Sequence, residues 1–133
     1  MLVRRMADVP FPNLLGMKLV KLAPGEAQIS MTATGKLYQY QNLVHGGAMA
    51  SLADTAATFA ALAGVPEGID VVTIEFKMNF LAPFKTGRAL ASGRIIHLGR
   101  RTCVAEVNIR HSATKEIMAT GLFTMLCFPI SQK

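Results

Sequence analysis

The feature that most constrains this chain is a sixteen-residue run, Ala48 to Ala63, half of it alanine, with one carboxylate, Asp54, near its middle. Alanine is the best helix former, and Gly64 with Pro66 supplies a stop, so the run is a helix about 24 Å long. Its other residues are so uniformly apolar or small that the rest of the chain must wrap it almost completely. Asp is a poor residue for a helix interior. Burying it unpaired costs on the order of several kcal/mol, or else it protonates. The same acid, in an Ala-rich rather than Leu-rich run, argues against a membrane span. Near the N-terminus, Arg4 and Arg5 are followed by Asp8, Pro10 and Pro12 where a secretory signal needs an apolar core, so a cytoplasmic location is expected.

What can wrap the helix is legible on both sides of it. Residues 1–16 form an N-terminal segment with a turn or short helix around Phe11 to Leu15, bounded by Pro10, Pro12 and Gly16. Strand-like runs follow at Met17 to Leu22 and Ala27 to Thr34, joined by Pro24-Gly25. After the helix come Thr73 to Phe80, Arg88 to Leu98, Thr102 to Arg110 and Ile117 to Phe128. In the first of these, Ile74, Phe76, Met78 and Phe80 alternate with Thr73, Glu75, Lys77 and Asn79, which predicts one apolar and one polar face. Short turns between strands require antiparallel pairing, and the four strands after the helix read as a meander. The expectation is a single α+β domain over residues 1–133: about six antiparallel strands curled around one long helix, the hotdog architecture.

Chemistry concentrates on that helix. The chain has eight acids, Asp8, Glu26, Asp54, Glu67, Asp70, Glu75, Glu106 and Glu116, and Asp54 alone lies within the apolar run. Either it pairs structurally with Thr55, Thr58 or a strand Arg, or it is functional. Gly46 and Gly47 precede the run, at a first turn whose N–H groups have no intrahelical partner and where the helix dipole is positive. Glycine lets a ligand approach that backbone, and an oxygen gaining negative charge would be stabilised there. Gly47 and Asp54 are seven residues apart, on one helix face and about 10 Å from each other. One acyl carbon cannot meet both within a subunit. Two antiparallel helices in a symmetric dimer would bring Gly47 of one chain to Asp54 of the other.

Composition bounds the partners. The 51% of hydrophobic residues favours an oligomer, and the net charge of +6 fits either a compact phosphorylated ligand or a merely solvated surface. Nucleic acid is not expected, because the basic residues are scattered and aromatic platforms are few: seven Phe, two Tyr and no Trp. Cys103 and Cys127 read as free thiols, and three scattered His form no metal site. No metal or cofactor is expected.

The run Val44-His45-Gly46-Gly47 followed by Leu52-Ala53-Asp54-Thr55-Ala56 resembles the His-Gly-Gly…Asp signature of hotdog thioesterases. Within them it is most similar to the phenylacetate-degradation and thioesterase-superfamily-member-2 group. Thr73 to Phe76, Phe80-Leu81-Ala82-Pro83 and Leu98 to Arg101 carry the likeness on, so that it spans Met17 to Leu126. The resemblance implies hydrolysis of acyl-CoA, with CoA as part of the substrate. Asp54 would be nucleophile or general base, the Gly47 amide would polarise the carbonyl, and Thr73 would hold the water. Phe80 to Lys85, with Pro83, and Leu98 to Cys103, with Gly99 and Thr102, would line the CoA channel. Lys85, Arg100 and Arg101 would meet its phosphates. Relatives often place Asn six residues before the His. Here that residue is Gln39, with Asn42 the nearest Asn, so Gln39, Asn42 and Gly46 are the substrate-positioning candidates at the loop. His45 either contacts the carbonyl or fixes the loop through its ring. The family implies a homodimer at least, and usually a homotetramer. Two other readings use the same framework: a non-catalytic acyl-CoA-binding protein, and an enoyl-CoA hydratase relying on a catalytic His.

Overall fold

The computed structural model describes residues 6–131; residues 1–5 of the N-terminal segment, Arg4 and Arg5 among them, lie outside that range. A five-residue helix, α1 (Pro10–Leu14), opens the fold. The hairpin β1 (Lys18–Ala23) and β2 (Glu26–Thr32) and a 3-10 turn (Gly35–Leu37) follow. Next come the long helix α2 (Gly46–Leu62) and four strands: β3 (Ile69–Phe80), β4 (Arg88–Leu98), β5 (Thr102–His111) and β6 (Ile117–Pro129). The six strands make one antiparallel sheet in the order β1-β2-β4-β5-β6-β3, curled around α2 as expected for a hotdog fold. The chain folds β3 back to pair with β6, so β3 ends the sheet with a free edge.

The helix starts at Gly46, two residues before the apolar run, because His45 caps it and both glycines take up the first turn. It packs chiefly against β4 and β2, and what allows this is small residues on both surfaces. Ala53, Ala56, Ala57, Ala60 and Ala61 on the helix are buried, as are Ala89 and Ala91 on β4, Ala105 on β5 and Ala119 on β6. At Gly93, on β4, the helix backbone comes so close that an added Cβ would lie 2.8 Å from the Ala56 carbonyl oxygen. Larger side chains fill the flanks: Ile29, Met31, Phe84, Ile109, Met118, Phe123 and Met125 are all buried. The methionines here are core residues. Cys103 is buried and Cys127 half-buried, both free. Burial, with Cys127 alongside, pushes the Cys103 thiol up to about 12, which leaves it an inert packing group.

Two expectations need correction. The helix is not wrapped all round: Gly47 is exposed, and Ser51, Asp54, Thr55, Thr58 and Leu62 are only partly covered. These positions recur every three to four residues and form one open stripe. The alternation in β3 also slips. Its pairing with β6 shifts between Thr73 and Glu75, so Thr73 sits opposite buried Met125 while Phe76 sits opposite buried Phe123. Thr73 therefore shares the helix-facing side with Phe76, Met78 and Phe80, not the polar side with Glu75 and Lys77. The bulge gains a residue that pattern reading had counted as part of a regular strand.

Replacing Gly93 with Ala should lower stability by about 1–3 kcal/mol, since the clash is with backbone that cannot swing aside. Gly35→Ala is the matched control, because nothing lies within 4 Å of its added Cβ. Denaturant midpoints of the two variants measure the difference.

Candidate active site

The start of α2 is built by a short closed loop. Tyr38 and Val44 form an isolated antiparallel bridge. The Gln39 N–H donates to the Leu43 carbonyl at 2.8 Å, and Asn42 takes a left-handed φ of 60°. Asn tolerates that conformation better than most residues, which gives Asn42 a turn-forming role at an exposed position. The Gln39 side chain accepts a hydrogen bond from the Gln41 N–H and so stays folded over its own loop. The His45 N–H donates to the Leu37 carbonyl at 2.7 Å, and its ring Nδ1 accepts the Gly47 N–H at 2.8 Å. His45 is thus the N-cap and fixes the loop. The Gly47 amide is engaged as the structure stands. The Gly46 N–H, by contrast, has no protein partner among the described residues. An added Cβ on Gly46 would touch the Phe80 ring at 3.4 Å, so glycine lets the helix start lie against that ring. A cavity of about 360 Å³ opens here, lined by Gln39, Gly46, Met49, Phe80, Pro83 and Phe84 among others.

Two turns along α2, the Asp54 carboxylate accepts a 2.7 Å hydrogen bond from the Thr73 hydroxyl. The β3 bulge is what makes this possible, because it turns Thr73 toward the helix. Asp54 is half-buried, and among the described residues no Lys or Arg pairs with it; the ion pair found is Arg94–Glu106, 3.6 Å apart on the outer sheet face. Thr55, an alternative partner from the sequence, instead donates to the Ser51 carbonyl at 2.7 Å. Asp54 opens onto a second cavity of about 250 Å³, walled by Val9 and Pro12 on one side and by Thr55, Thr58, Phe59 and Leu62 on the other. The contribution of Val9 and Pro12 was invisible in the sequence, since α1 is too short to show a period.

The remaining candidates fall into two groups. Lys85, exposed in the β3–β4 loop, stands at the end of the sheet where α2 begins. Gly99, Arg100, Arg101 and Thr102 form the β4–β5 turn at the opposite end, where α2 finishes and Gly64 packs on Ile95 and Gly25. One chain does not bring Lys85 to Arg100 and Arg101. Among the described residues no group of three His, Cys, Asp or Glu could hold a metal, and no helix is long and apolar enough to cross a membrane.

One long helix with a glycine-lined start and a half-buried carboxylate, cupped by a curled antiparallel sheet, is the hotdog arrangement. The thioesterase-superfamily family model matches residues 41–118, and the chain belongs to that superfamily. It is 30% identical over 101 residues to a 1,4-dihydroxy-2-naphthoyl-CoA hydrolase of Listeria monocytogenes, a stretch covering 76% of this chain and 82% of that one. It is also 30% identical over 104 residues to the acyl-coenzyme A thioesterase PaaI of Escherichia coli, covering 77% and 72%. A solved thioesterase family protein from Silicibacter pomeroyi superposes with a TM-score of 0.90 at 26% identity, over 96% of this chain and 95% of that one.

Thr73→Val keeps the shape of the side chain but removes its hydroxyl. The loss of the Asp54 hydrogen bond should cost about 1–2 kcal/mol at neutral pH. Chemical denaturation measures it, and an unchanged midpoint would mean that the pair adds nothing to folding.

Proposed function

We propose that the protein hydrolyses an acyl-CoA thioester to a free acid and CoA at a site shared across a homodimer. The observation that carries this reading is Asp54: a carboxylate at a cavity mouth, held by a neutral hydroxyl and, among the described residues, paired with no cation. Such a group is oriented without being neutralised, which suits a base or nucleophile. As base, Asp54 takes a proton from water while the hydroxide adds to the thioester carbon. The tetrahedral intermediate then expels the CoA thiolate, which recovers the proton. As nucleophile, its oxygen displaces the thiolate, and water cleaves the resulting anhydride. In both routes Thr73 holds the carboxylate in place. The names of the Listeria and Escherichia relatives support a CoA thioester as substrate.

The carbonyl polariser is the start of α2. Gly47 can serve once the His45 ring turns away from its N–H, and the neighbouring Gly46 N–H already has no partner among the described residues. The dimer follows from what one chain leaves uncovered. The free β3 edge carries Ile74, Phe76 and Phe80, each about half exposed, beside the open stripe of α2. Such an edge invites antiparallel addition of a second strand. Two copies joined there would lay their helices side by side, one chain's Gly46 and Gly47 against the partner subunit's Asp54. Lys85 would then approach Arg100 of the partner subunit, uniting the phosphate contacts that one chain keeps apart. A tetramer of two such dimers, free in the cytoplasm, completes the reading.

Asp54→Asn should lower turnover of an acyl-CoA panel by about 10³-fold or more, with the thermal midpoint held close to that of the parent. Thiol release sustained at the parent's rate in that variant would remove Asp54 from the mechanism. The same panel separates the rival readings: CoA binding without thiol release indicates a binding protein, and hydration of an enoyl-CoA indicates a hydratase. Ile74→Lys tests the shared site. Sedimentation should show the monomer, and turnover should fall with the dimer fraction; a fully active monomer would rule out a composite site.

A further inference from the structure

The β3–β4 loop is tied down in an unusual way. Four consecutive carbonyls, from residues 84 to 87, each accept a hydrogen bond from another part of the chain, two of them from the loop before α2. The Phe84 oxygen accepts from the Val44 N–H at 2.9 Å, and the Gly87 oxygen accepts from the Ala33 N–H at 2.9 Å. Between them, the Lys85 oxygen accepts from the Tyr38 hydroxyl at 2.8 Å, and the Thr86 oxygen is 2.8 Å from His111 Nε2. The tautomer of His111 is fixed by its other nitrogen. Nδ1 faces the N–H groups of Ala113 at 3.2 Å and Thr114 at 3.4 Å, so it must be bare, and Nε2 carries the proton given to Thr86. The ring also meets buried Phe84 edge-on, with centroids 6.1 Å apart. Gly87, at a φ of +83°, leaves the ring room that a Cβ would take, 2.8 Å from Nε2.

An exposed loop needs no such anchoring to close a chain between two strands, and two of the four ties come from side chains rather than backbone. The residue at the centre is Lys85, whose own side chain is exposed. We propose that Tyr38 and His111 are positioning residues that clamp the backbone at Lys85 and Thr86, holding the Lys85 ammonium out for the phosphates of a CoA-type ligand. This rests on the acyl-CoA reading above. A flexible lysine on a mobile loop would lose more conformational freedom on meeting a phosphate than one whose backbone is already fixed. The clamp therefore acts on binding of the nucleotide end and leaves the thioester end alone.

Equilibrium binding of CoA, set beside pantetheine, reads this without relying on turnover. Tyr38→Phe removes only the hydroxyl. His111→Asn keeps an oxygen near the position of Nδ1 for the turn amides but is too short to reach Thr86. Each should weaken CoA about three- to tenfold, the effect of one hydrogen bond, and leave pantetheine unchanged. In a Lys85→Ala background, which should itself weaken CoA, neither change should have any further effect. Hydrogen exchange at the Val44 amide, bonded to Phe84, should quicken in His111→Asn. Equal losses for CoA and pantetheine, additive losses in the Lys85→Ala background, or CoA affinity untouched by Lys85→Ala would each overturn the proposal. Intact CoA binding with the predicted pattern, but no thiol release from any acyl-CoA, would support the clamp and defeat the hydrolase reading alone.

Discussion

Everything in this fold depends on how closely α2 can lie on its sheet. Buried alanines line the helix and, at Ala89, Ala91, Ala105 and Ala119, the sheet, and at Gly93 the contact is backbone against backbone. Close approach of this kind gains dispersion contacts along the whole interface and costs little side-chain entropy, because alanine has none to lose. It also fixes the depth of the helix. Asp54 and Thr73 can share a 2.7 Å hydrogen bond only because the helix axis sits that near the strand. A leucine-rich helix of the same length would stand further off, and the pair would part.

The same constraint explains why the sequence was readable. An alanine run ended by Gly64 and Pro66 admits little but a helix, and short turns between strands require antiparallel neighbours, so helix, strand count and pairing sense were legible. The reading of all four later strands as one meander was not met, because β3 pairs with β6 and only β4, β5 and β6 follow one another in the sheet. Asp54 stood out because it breaks the composition of its own helix. What escaped were features set by pairing rather than by pattern. The bulge at Thr73 comes from the register of β3 on β6, and nothing in Thr73 to Phe80, which alternates without fault, announces it. Counted as a regular strand, the segment turned Thr73 away from the very carboxylate it holds. The resemblance to relatives gave Thr73 its place, and the bulge supplies the physical reason. His111 escaped for a similar cause: a lone His at a strand end carries no periodic signal, and its ring joins its own turn to the distant β3–β4 loop.

Wrapping was overestimated for a more general reason. Periodicity reports how apolar a helix is, not how much sheet exists to cover it. Six strands with β3 at a free edge leave the stripe from Gly47 to Leu62 partly open. The stripe is not a defect of packing, since apart from Asp54 and Leu62 its residues are small or hydroxylated: Gly47, Ser51, Thr55 and Thr58 stand where a solvent-facing helix would carry Lys or Glu. Ser51 and Thr55 return their hydroxyls to the helix backbone, at 2.8 and 2.7 Å, so that their O–H donors are used within the helix.

That absence of charge bears on Asp54 in turn. Among the described residues the side chain that hydrogen-bonds this carboxylate is Thr73, and a second apolar surface laid over the stripe would exclude water further. Charge–dipole interactions strengthen as the surroundings dry. The positive end of a helix dipole brought up from another subunit would therefore act on the acid, and on any oxygen between them, far more strongly than it could in an open cleft. On this argument the uncovered stripe and the lone acid belong to one arrangement. A fully wrapped helix could have hidden the carboxylate, but it could not have offered a second helix start any way to reach it.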